Sequence, residues 1–203
     1  MADASKVRFG LSNVHYAPIT FNQGVATYGT PVKIPGAVSI SLSVEGSEPN
    51  TFWADNIAYY IQNGANGGYS GTITMAIIPD TFKVAVLGEV VDDNGMQVEL
   101  ADADTHNFAL MYEVNGDADK KRYCFFNCTA SRVANGANTT SDSTDPDTQE
   151  LEFSAIGTDF TFAGETESII RGSADSNADA YSAWFSAVPV PTKTASGSTG
   201  DTN

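Results

Sequence analysis

Basic residues are scarce in this chain, and their scarcity disfavours one broad class of function. Lysine and arginine together number 10 against 25 aspartates and glutamates, which gives a formal net charge of −15. A protein that wraps nucleic acid neutralises phosphates with cationic side chains, so we do not expect binding of that kind or to anionic membranes. The acidic surplus has two open interpretations: a surface that stays soluble, or a surface to which DNA must not stick.

Cysteines and long apolar runs are also few. Cys124 and Cys128 are too few for a zinc site. Lying four residues apart on a strand, they should face the same side of it. No apolar run reaches the length of a membrane span, and the N-terminus lacks the apolar core of a signal peptide. We therefore expect no membrane association and no metal or other cofactor.

Catalytic motifs are missing as well. The G-x-S-x-G, P-loop and G-x-G-x-x-G patterns do not occur, and His15 and His106 have no companion pattern. Two acidic segments, residues 92–94 and 102–106, invite a metal interpretation, but neither has the ligand spacing of a calcium loop. A glycosidase-type carboxylate pair stays open, although no pair is singled out. We predict no enzyme activity and no catalytic, cofactor-binding or metal-binding residue.

Short alternating segments and turns are what the chain does contain. Its 18 glycines separate strand-like runs, which predicts a mainly β (α+β) fold. In residues 37–44, Val38, Ile40, Leu42 and Val44 should share one face of a strand and the intervening serines the other. Further strands are predicted at residues 7–11, 108–114, 123–128 and 149–156, a hairpin turn at Asn94–Gly95, and a strand or helical turn over residues 179–185.

Residues 67–88 hold the best-specified helix. The segment predicts a strand with Ile73, Met75 and Ile77 on one face, followed by a helix over about residues 80–87. Asp80 is the expected N-terminal cap and Gly88 the expected C-terminal cap. We expect this helix to pack on the outside of the sheets.

Residues 45–66 interrupt the alternating pattern with aromatic side chains. Phe52, Trp53, Tyr59 and Tyr60 lie in this long excursion without clear periodicity. Exposed aromatic residues are typical of contacts between subunits, which is the role we predict for these four. A loop folded back over its own core is the alternative that the sequence leaves open.

The remaining organisation is one domain over residues 1–190 and a flexible tail over residues 191–203. The tail is rich in serine, threonine and glycine and has no apolar anchor. The only basic cluster, residues 120–122, lies beside Asp117 and Asp119. We expect a local surface patch of salt bridges there, not a DNA site.

Several short segments form a more specific pattern through their number and order. They are VRFGLSNVHYAP at 7–18, YGTPVKIPGAV at 28–38, WADN at 53–56, NGGYSG at 66–71, Gly88, FAL at 108–110 and RYCFFNC at 122–128. Together they resemble the phi13-type major tail proteins, the tail tube proteins of long-tailed phages. The resemblance covers residues 7–185. Trp53 departs from the family's more frequent tyrosine, and the match is poor after Phe162.

The resemblance implies a structural virion protein. Its fold would be two antiparallel sheets packed as a β-sandwich or partial barrel with one flanking helix. Six subunits would form a ring, and rings would stack into a hollow tail tube through which DNA is ejected. Implied partners are further copies of the chain, the tape measure protein, the tail terminator and the distal tail or baseplate proteins, with assembly in the host cytoplasm and phage DNA passing only transiently.

An electronegative lumen would suit such a tube, because a conduit for a polyanion should repel it. We predict Glu99, Glu113, Glu150 and Glu152 as lumen acids, with solubility of the outer surface as the open alternative for each. The alternative function is a non-enzymatic β-sandwich adhesin or carbohydrate-binding module that uses Trp53, Tyr59 and Tyr60. A virion-associated hydrolase would need a nucleophile that the sequence does not offer.

Overall fold

The computed structural model describes residues 9–116, 120–137, 139 and 147–194. The strands within these residues are β1 (Leu11–Asn22), β2 (Val25–Tyr28), β3 (Val32–Lys33), β4 (Ala37–Gly46), β5 (Asn50–Ala54), β6 (Ile57–Gln62), β7 (Asn66–Met75), β8 (Val90–Val91), β9 (Gln97–Val98), β10 (Phe108–Val114), β11 (Arg122–Ala130), β12 (Gln149–Ala155), β13 (Thr158–Phe162), β14 (Glu165–Ile169) and β15 (Arg171–Ala174). One α-helix, α1, spans Asp80–Val86, and a short 3-10 helix spans Asp179–Tyr181.

Nine strands form one antiparallel sheet in the order β2-β1-β10-β11-β12-β7-β4, with β3 also pairing β1 and β15 also pairing β11. The sheet folds over so that β1 approaches β4, although no ladder joins these two strands in the described part of the chain. Its two halves enclose the core as the layers of a sandwich do. Three two-stranded ribbons, β5-β6, β8-β9 and β13-β14, accompany it. The predicted mainly β, sandwich-like fold with one helix is confirmed.

The main core lies between the two halves of the large sheet. Ile73 and Leu151 enter it from one half, and Tyr112 and Phe125 from the other. Helix α1 contributes Phe82 and Val86, which lie four residues apart and therefore on one helical face. The Phe82 ring meets the rings of Tyr16 and Phe108 edge-on, at centroid distances of 4.9 and 5.3 Å. Such edge-to-face pairs are the favoured aromatic geometry.

A second, smaller cluster covers the other face of the same sheet at β1, β10 and β11. Ala17, Ala109 and Met111 lie beneath Trp184 and Val188 of the C-terminal segment. As a result, β10 is buried on both faces, with larger side chains toward the main core. This explains why residues 108–112 form a continuous apolar run and not an alternating pattern.

Residues 67–88 form a strand and a helix as predicted, with two differences. Ile73 and Met75 are buried, but the strand ends at Met75, so Ile77 does not continue their face and is 69% exposed. Ile78 takes the buried position instead. The N-cap residue is Pro79, with no side-chain cap, and the Asp80 carboxylate accepts a bond from Lys83 Nζ at 3.1 Å. The predicted Asp80 cap is therefore wrong.

Strand β4 confirms the alternation in its middle and departs from it at both ends. Ile40 and Leu42 pack against the main core. A shift in the pairing with β7 falls between Ala37 and Ser39, so Ala37 packs inward and Val38 is exposed. Val44 is exposed as well. The predicted single apolar face of four residues is thus reduced to two.

A β-bulge in β11 separates the two cysteines. Between Leu110 and Phe108 the partner strand advances by two residues while β11 advances by three, so one extra residue is inserted near Asn127. The bulge reverses the alternation, and Cys124 therefore joins the second cluster while Cys128 joins the main core. The prediction that they face the same side is wrong. Both are free thiols.

The other local predictions have mixed outcomes. Gly95 has φ +82° in the β8-β9 turn, as an Asn-Gly hairpin predicts. Of the predicted strand at 7–11, residues 7 and 8 lie outside the described residues, Phe9 and Gly10 are not in a strand, and Leu11 begins β1. Residues 179–185 form the 3-10 helix and turns. Asp117, Asp119 and tail residues 195–203 lie outside the described residues.

Candidate assembly surfaces

The aromatic segment at 45–66 is a β-hairpin that continues from one end of the large sheet. The pairing of β4 with β7 ends at Gly46 and Asn66, and β5 and β6 continue from there as a separate ribbon. Asp55 and Asn56 connect β5 to β6, both with positive φ (51° and 61°). This is the pattern of a type I′ turn, and Asp and Asn are the non-glycine residues that tolerate it best.

Both faces of the hairpin carry exposed aromatic side chains. Phe52 is paired with Tyr60, whereas Trp53, the next residue, points to the opposite face. The exposed fractions are 62% for Phe52, 64% for Trp53, 71% for Tyr59 and 61% for Tyr60. The alternative of a loop folded back over its own core is therefore wrong. No other element among the described residues covers either face of this apolar hairpin.

A second distinctive surface is the outer side of the sheet at β4, β7 and β12. Strand β4 presents Ser39, Ser41, Ser43 and Glu45 there, because these positions alternate with the core residues. The matching positions on β7 are Ser70, Thr72 and Thr74, and those on β12 are Glu150, Glu152 and Ser154. Thr129 at the end of β11 and the adjacent Ser131 extend it. We call this set the hydroxyl face.

The strand register aligns these side chains in rows. Ser43, Ser70, Ser154 and Thr129 are successive partners across four strands. The next row is Ser41, Thr72 and Glu152, and the one after it is Ser39, Thr74 and Glu150. At one end, Ser70 Oγ donates to Glu45 Oε1 at 2.6 Å. Two predicted lumen acids, Glu150 and Glu152, thus lie side by side on a face without cations.

The hydroxyl face and the exposed β5-β6 hairpin are surfaces suited to contacts with other molecules. A family match identifies the class of protein. A family model described as phage tail tube protein matches residues 3–192. This chain belongs to the phage tail tube protein family. Membership makes it a structural component of a phage tail, and hence of the virion. The resemblance of the short segments to tail tube proteins is confirmed.

Other comparisons are distant. The cryo-EM structure of the anti-feeding prophage cap (AFP tube terminating cap) shares 9% identity with this tail tube family member, covers 86% of this chain and 97% of that chain, and has a TM-score of 0.46. A likeness this distant supports no conclusion. A search among curated proteins found no match.

The other two predicted lumen acids lie elsewhere in this tail tube subunit. Glu113 is buried, and its Oε2 accepts a bond from Arg122 Nε at 2.7 Å. Glu99 follows β9 and pairs with Arg132 at 3.2 Å, both side chains being more than half exposed. The sequence did not predict the ion pair of Glu113, because its partner, Arg122, lies opposite it on the neighbouring strand β11. Glu45 was missed, although it continues the Ser39, Ser41, Ser43 alternation.

Arg122 joins the sheet to the C-terminal segment. Besides the pair with Glu113, its guanidinium donates to the Tyr181 carbonyl and lies 3.6 Å from the Tyr181 ring centroid and 4.8 Å from that of Phe185. The predicted exposed salt-bridge patch at 120–122 is therefore wrong for Arg122, whose side chain is 16% exposed. Cation–π contacts are strongest when desolvated in this way.

His15 packs beside this clamp. Its ring stacks on Phe185 at a centroid distance of 4.5 Å, and its Nδ1 bonds to the Asn13 carbonyl at 2.8 Å. Burial lowers the pKa of His15 below its usual 6.5; the bond to Asn13 opposes that shift and the charge of Lys33 adds to it.

The chemistry of the described residues is sparse. They contain no group of three or more His, Cys, Asp or Glu side chains that could hold a metal ion. The Asp92 carboxylate, part of the acidic 92–94 segment, accepts the backbone N–H groups of Asn94 and Met96 at 2.9 and 2.7 Å and so stabilises the turn. No helix in the described part is long and apolar enough to cross a membrane.

Proposed function

We propose that this tail tube protein forms hexameric rings that stack into the hollow tail tube, with an electronegative lumen through which DNA is ejected. Its partners would be further copies of itself, the tape measure protein, the tail terminator and the distal tail or baseplate proteins. Assembly would take place in the host cytoplasm. The role is structural and needs no catalysis or cofactor.

The exposure of the β5-β6 hairpin on both faces carries this proposal. Burying one large apolar side chain stabilises a contact by about 1.5–3 kcal/mol. Phe52 and Tyr60 on one face and Trp53 on the other therefore offer a strong contact to two separate surfaces. An element covered from two sides fits a subunit held between neighbours in an assembly. Contacts that repeat from copy to copy close into rings or extend into filaments.

The free edge of β4 supports the ring. This ten-residue strand ends the order of the large sheet, and its second edge has no partner strand among the described residues. Natural proteins block long free edges with lysine, proline or bulges, or cover them with another element. Between Ser39 and Glu45 this strand has no lysine or proline, so a neighbouring subunit is a suitable cover.

The lumen part of the proposal now rests on Glu150, Glu152 and Glu45. Glu113 is paired and buried, so it offers no free charge to a bore. Glu99 lies next to a cation, Arg132, which offsets its charge. The hydroxyl face carries acids without cations, and a polyanion is repelled from such a surface.

Negative-stain electron microscopy of the purified full chain tests the proposal. We expect rings or tubes from the wild type. The double variant Phe52→Ser/Tyr60→Ser should stay monomeric with an unchanged thermal midpoint, since it removes a cross-strand pair that contacts nothing in the subunit core. Val84→Ser on α1 is the control and should still assemble. A wild-type chain that remains monomeric even with the initiator complex, or a double variant that forms normal tubes, would contradict the proposal.

A further inference from the structure

The chain contains several Asn-Gly pairs, and the fold restrains them to different degrees. They are Asn63–Gly64, Asn66–Gly67, Asn94–Gly95, Asn115–Gly116 and Asn135–Gly136. Such a pair is chemically labile, because a glycine without a Cβ atom lets its backbone nitrogen approach the side-chain carbon of the asparagine. In a folded chain the reaction needs a glycine nitrogen that is free of hydrogen bonds and a backbone that can bend.

Hydrogen bonds restrain three of these pairs. Gly95 N donates to the Asp92 carbonyl at 3.0 Å, and Gly116 N donates to the Phe9 carbonyl at 2.7 Å. At Asn66 the side-chain oxygen is engaged, since it accepts a bond at 3.2 Å from the backbone nitrogen two residues ahead. Attack at any of these three sites requires that a hydrogen bond first be broken by local opening.

Close packing restrains a fourth pair, Asn63–Gly64. A Cβ atom on Gly64 would overlap the carbonyl oxygen of Ser47, so the two backbones lie in direct contact. The next residue, Ala65, donates its N–H to Ser47 Oγ at 2.9 Å and accepts a bond from Ser47 N at 3.2 Å. The backbone of this pair therefore has little freedom to bend.

The pair Asn135–Gly136 has neither restraint. It lies in the exposed segment after β11, outside any strand. Gly136 N donates no hydrogen bond to the described residues, and a Cβ atom on Gly136 would have nothing within 4 Å. Asn135 Oδ1 accepts a bond from Gln149 Nε2 at 3.2 Å. The Gln149 amide is itself oriented, because its Oε1 accepts a bond from Ile78 N at 2.8 Å.

We propose that Asn135 is a self-modification site, which deamidates through attack by the backbone nitrogen of Gly136. This nitrogen loses its proton to a base in solution and bonds to Cγ of Asn135. The bond from Cγ to Nδ2 breaks, and the side-chain nitrogen takes up a proton and leaves as ammonia, which closes a succinimide ring. Water then opens the ring at either of its carbonyl carbons. The product is an aspartate or an isoaspartate in place of the asparagine, and no electron is gained or lost.

Gln149 assists the step that forms the ring. Attack at Cγ of Asn135 places negative charge on Oδ1, and Gln149 Nε2 already donates a hydrogen bond to that atom. A donor held at a developing oxyanion lowers the barrier of the reaction. Water is the one co-reactant, so the modification depends neither on assembly nor on another phage protein.

The new carboxylate changes the charge of a small cleft. The charged residues that line this cleft together with Asn135 are Lys83, Arg132, Glu89 and Glu99. Two cations balance two carboxylates there, so deamidation changes the formal charge of the lining from zero to −1. The subunit therefore becomes more acidic at this place as it ages.

Peptide mapping by mass spectrometry tests the site in the purified full chain after incubation in mildly alkaline buffer. We expect Asn135 to deamidate roughly tenfold faster than Asn94 or Asn115, whose glycine nitrogens must first lose a hydrogen bond. In concentrated urea, where the fold is lost, all the Asn-Gly pairs should react at similar rates. Equal rates in the folded chain, or a faster reaction at Asn94 or Asn115, would overturn the proposal.

Two variants test the atoms assigned to the reaction. Gly136→Ala fits the open space at this position and should slow deamidation of Asn135 at least about tenfold, because a Cβ atom hinders the approach of the nitrogen. Gln149→Met should slow it roughly threefold in the folded chain but not in urea, and Asn63 is the internal control in both. An unchanged rate in Gly136→Ala would overturn the proposed attack. An unchanged or faster rate in Gln149→Met would overturn the role of Gln149.

Discussion

At the scale of single residues, Arg122 is expected to contribute strongly to stability. Replacing it by methionine leaves the buried Glu113 carboxylate without its partner and removes the contacts to Tyr181 and Phe185. Breaking a buried ion pair from one side costs about 3–5 kcal/mol. We expect Arg122→Met to lower the free energy of unfolding by about 3 kcal/mol, measured by urea denaturation.

Arg132 provides the matched control for that variant. Its pair with Glu99 is exposed at both ends. Exposed pairs contribute about 0–1 kcal/mol, so Arg132→Met should stay within that range. Equal losses for the two variants would show that the Arg122 clamp contributes no more than a surface pair.

His15 should make the stability depend on pH in the mildly acidic range. Its folded-state pKa is lowered, chiefly by burial, so below the unfolded pKa of 6.5 the unfolded chain binds the proton more readily. Stability should therefore fall as the pH drops from 6.5 toward the lower folded pKa. Urea midpoints of His15→Gln should show a weaker fall over this interval. If His15→Gln keeps the wild-type dependence of stability on pH, the assignment to His15 is contradicted. The same holds if the exposed control His106→Gln loses that dependence.

The type of a residue predicted its exposure correctly only where no partner side chain lay opposite it on the neighbouring strand. Glu150 and Glu152 are exposed as their alternation with Leu151 and Phe153 predicts. Glu113 is the one charged residue of β10, and it is buried opposite Arg122 of the next strand. A cross-strand ion pair depends on register, which a single sequence does not specify.

At the scale of elements, the end of α1 depends on Gly88. Its φ is +74°, and a Cβ atom there would lie 2.5 Å from the carbonyl oxygen of Asp104. A left-handed non-glycine residue alone costs about 1–3 kcal/mol, and the clash adds to that. We expect Gly88→Ala to lower the free energy of unfolding by at least about 3 kcal/mol in chemical denaturation.

Gly95 separates the clash from the backbone effect. It also has positive φ, +82°, but a Cβ atom there would have nothing within 4 Å. Gly95→Ala should cost only about 1–2 kcal/mol. If Gly88→Ala costs no more than Gly95→Ala, the close approach to Asp104 is not a constraint.

Elements with one buried face were predictable, and elements without one were not. Residues 149–156 alternate because one side of β12 faces the core and the other faces water. The β5-β6 hairpin lacks that contrast, since every residue of β6 is exposed, and its sequence therefore shows no strand period. The bulges at Val38 and Asn127 were invisible because they are set by the partner strand.

At the scale of the whole molecule, the main core and the second cluster should both shield the cysteine thiols from chemical reagents. Cys124 lies in the second cluster and Cys128 in the main core, and burial raises the pKa of both thiols. We expect neither to react with a thiol reagent at neutral pH in the native subunit, and both to react on unfolding. Dithiothreitol should leave the thermal midpoint unchanged.

Thr129→Cys is the control for that measurement, because residue 129 is exposed and adjacent to Cys128. It should react in the folded subunit. Native-state modification of Cys124 alone would instead mean that the C-terminal segment opens independently of the main core.

The extra residue in β11 makes the effect of a one-residue deletion depend on its place in the strand. Residues of the two clusters alternate along β11, and the extra residue near Asn127 shifts that alternation by one position. Loss of the Asn127 codon would remove the extra residue and leave Cys128 toward the main core, whereas loss of the Cys124 codon would turn Tyr123 away from it. We expect deletion of Cys124 to abolish soluble expression, deletion of Asn127 to reduce it far less, and deletion of Gly136, outside any strand, to be tolerated. Point mutations and codon deletions would therefore be selected very differently along the same nine residues.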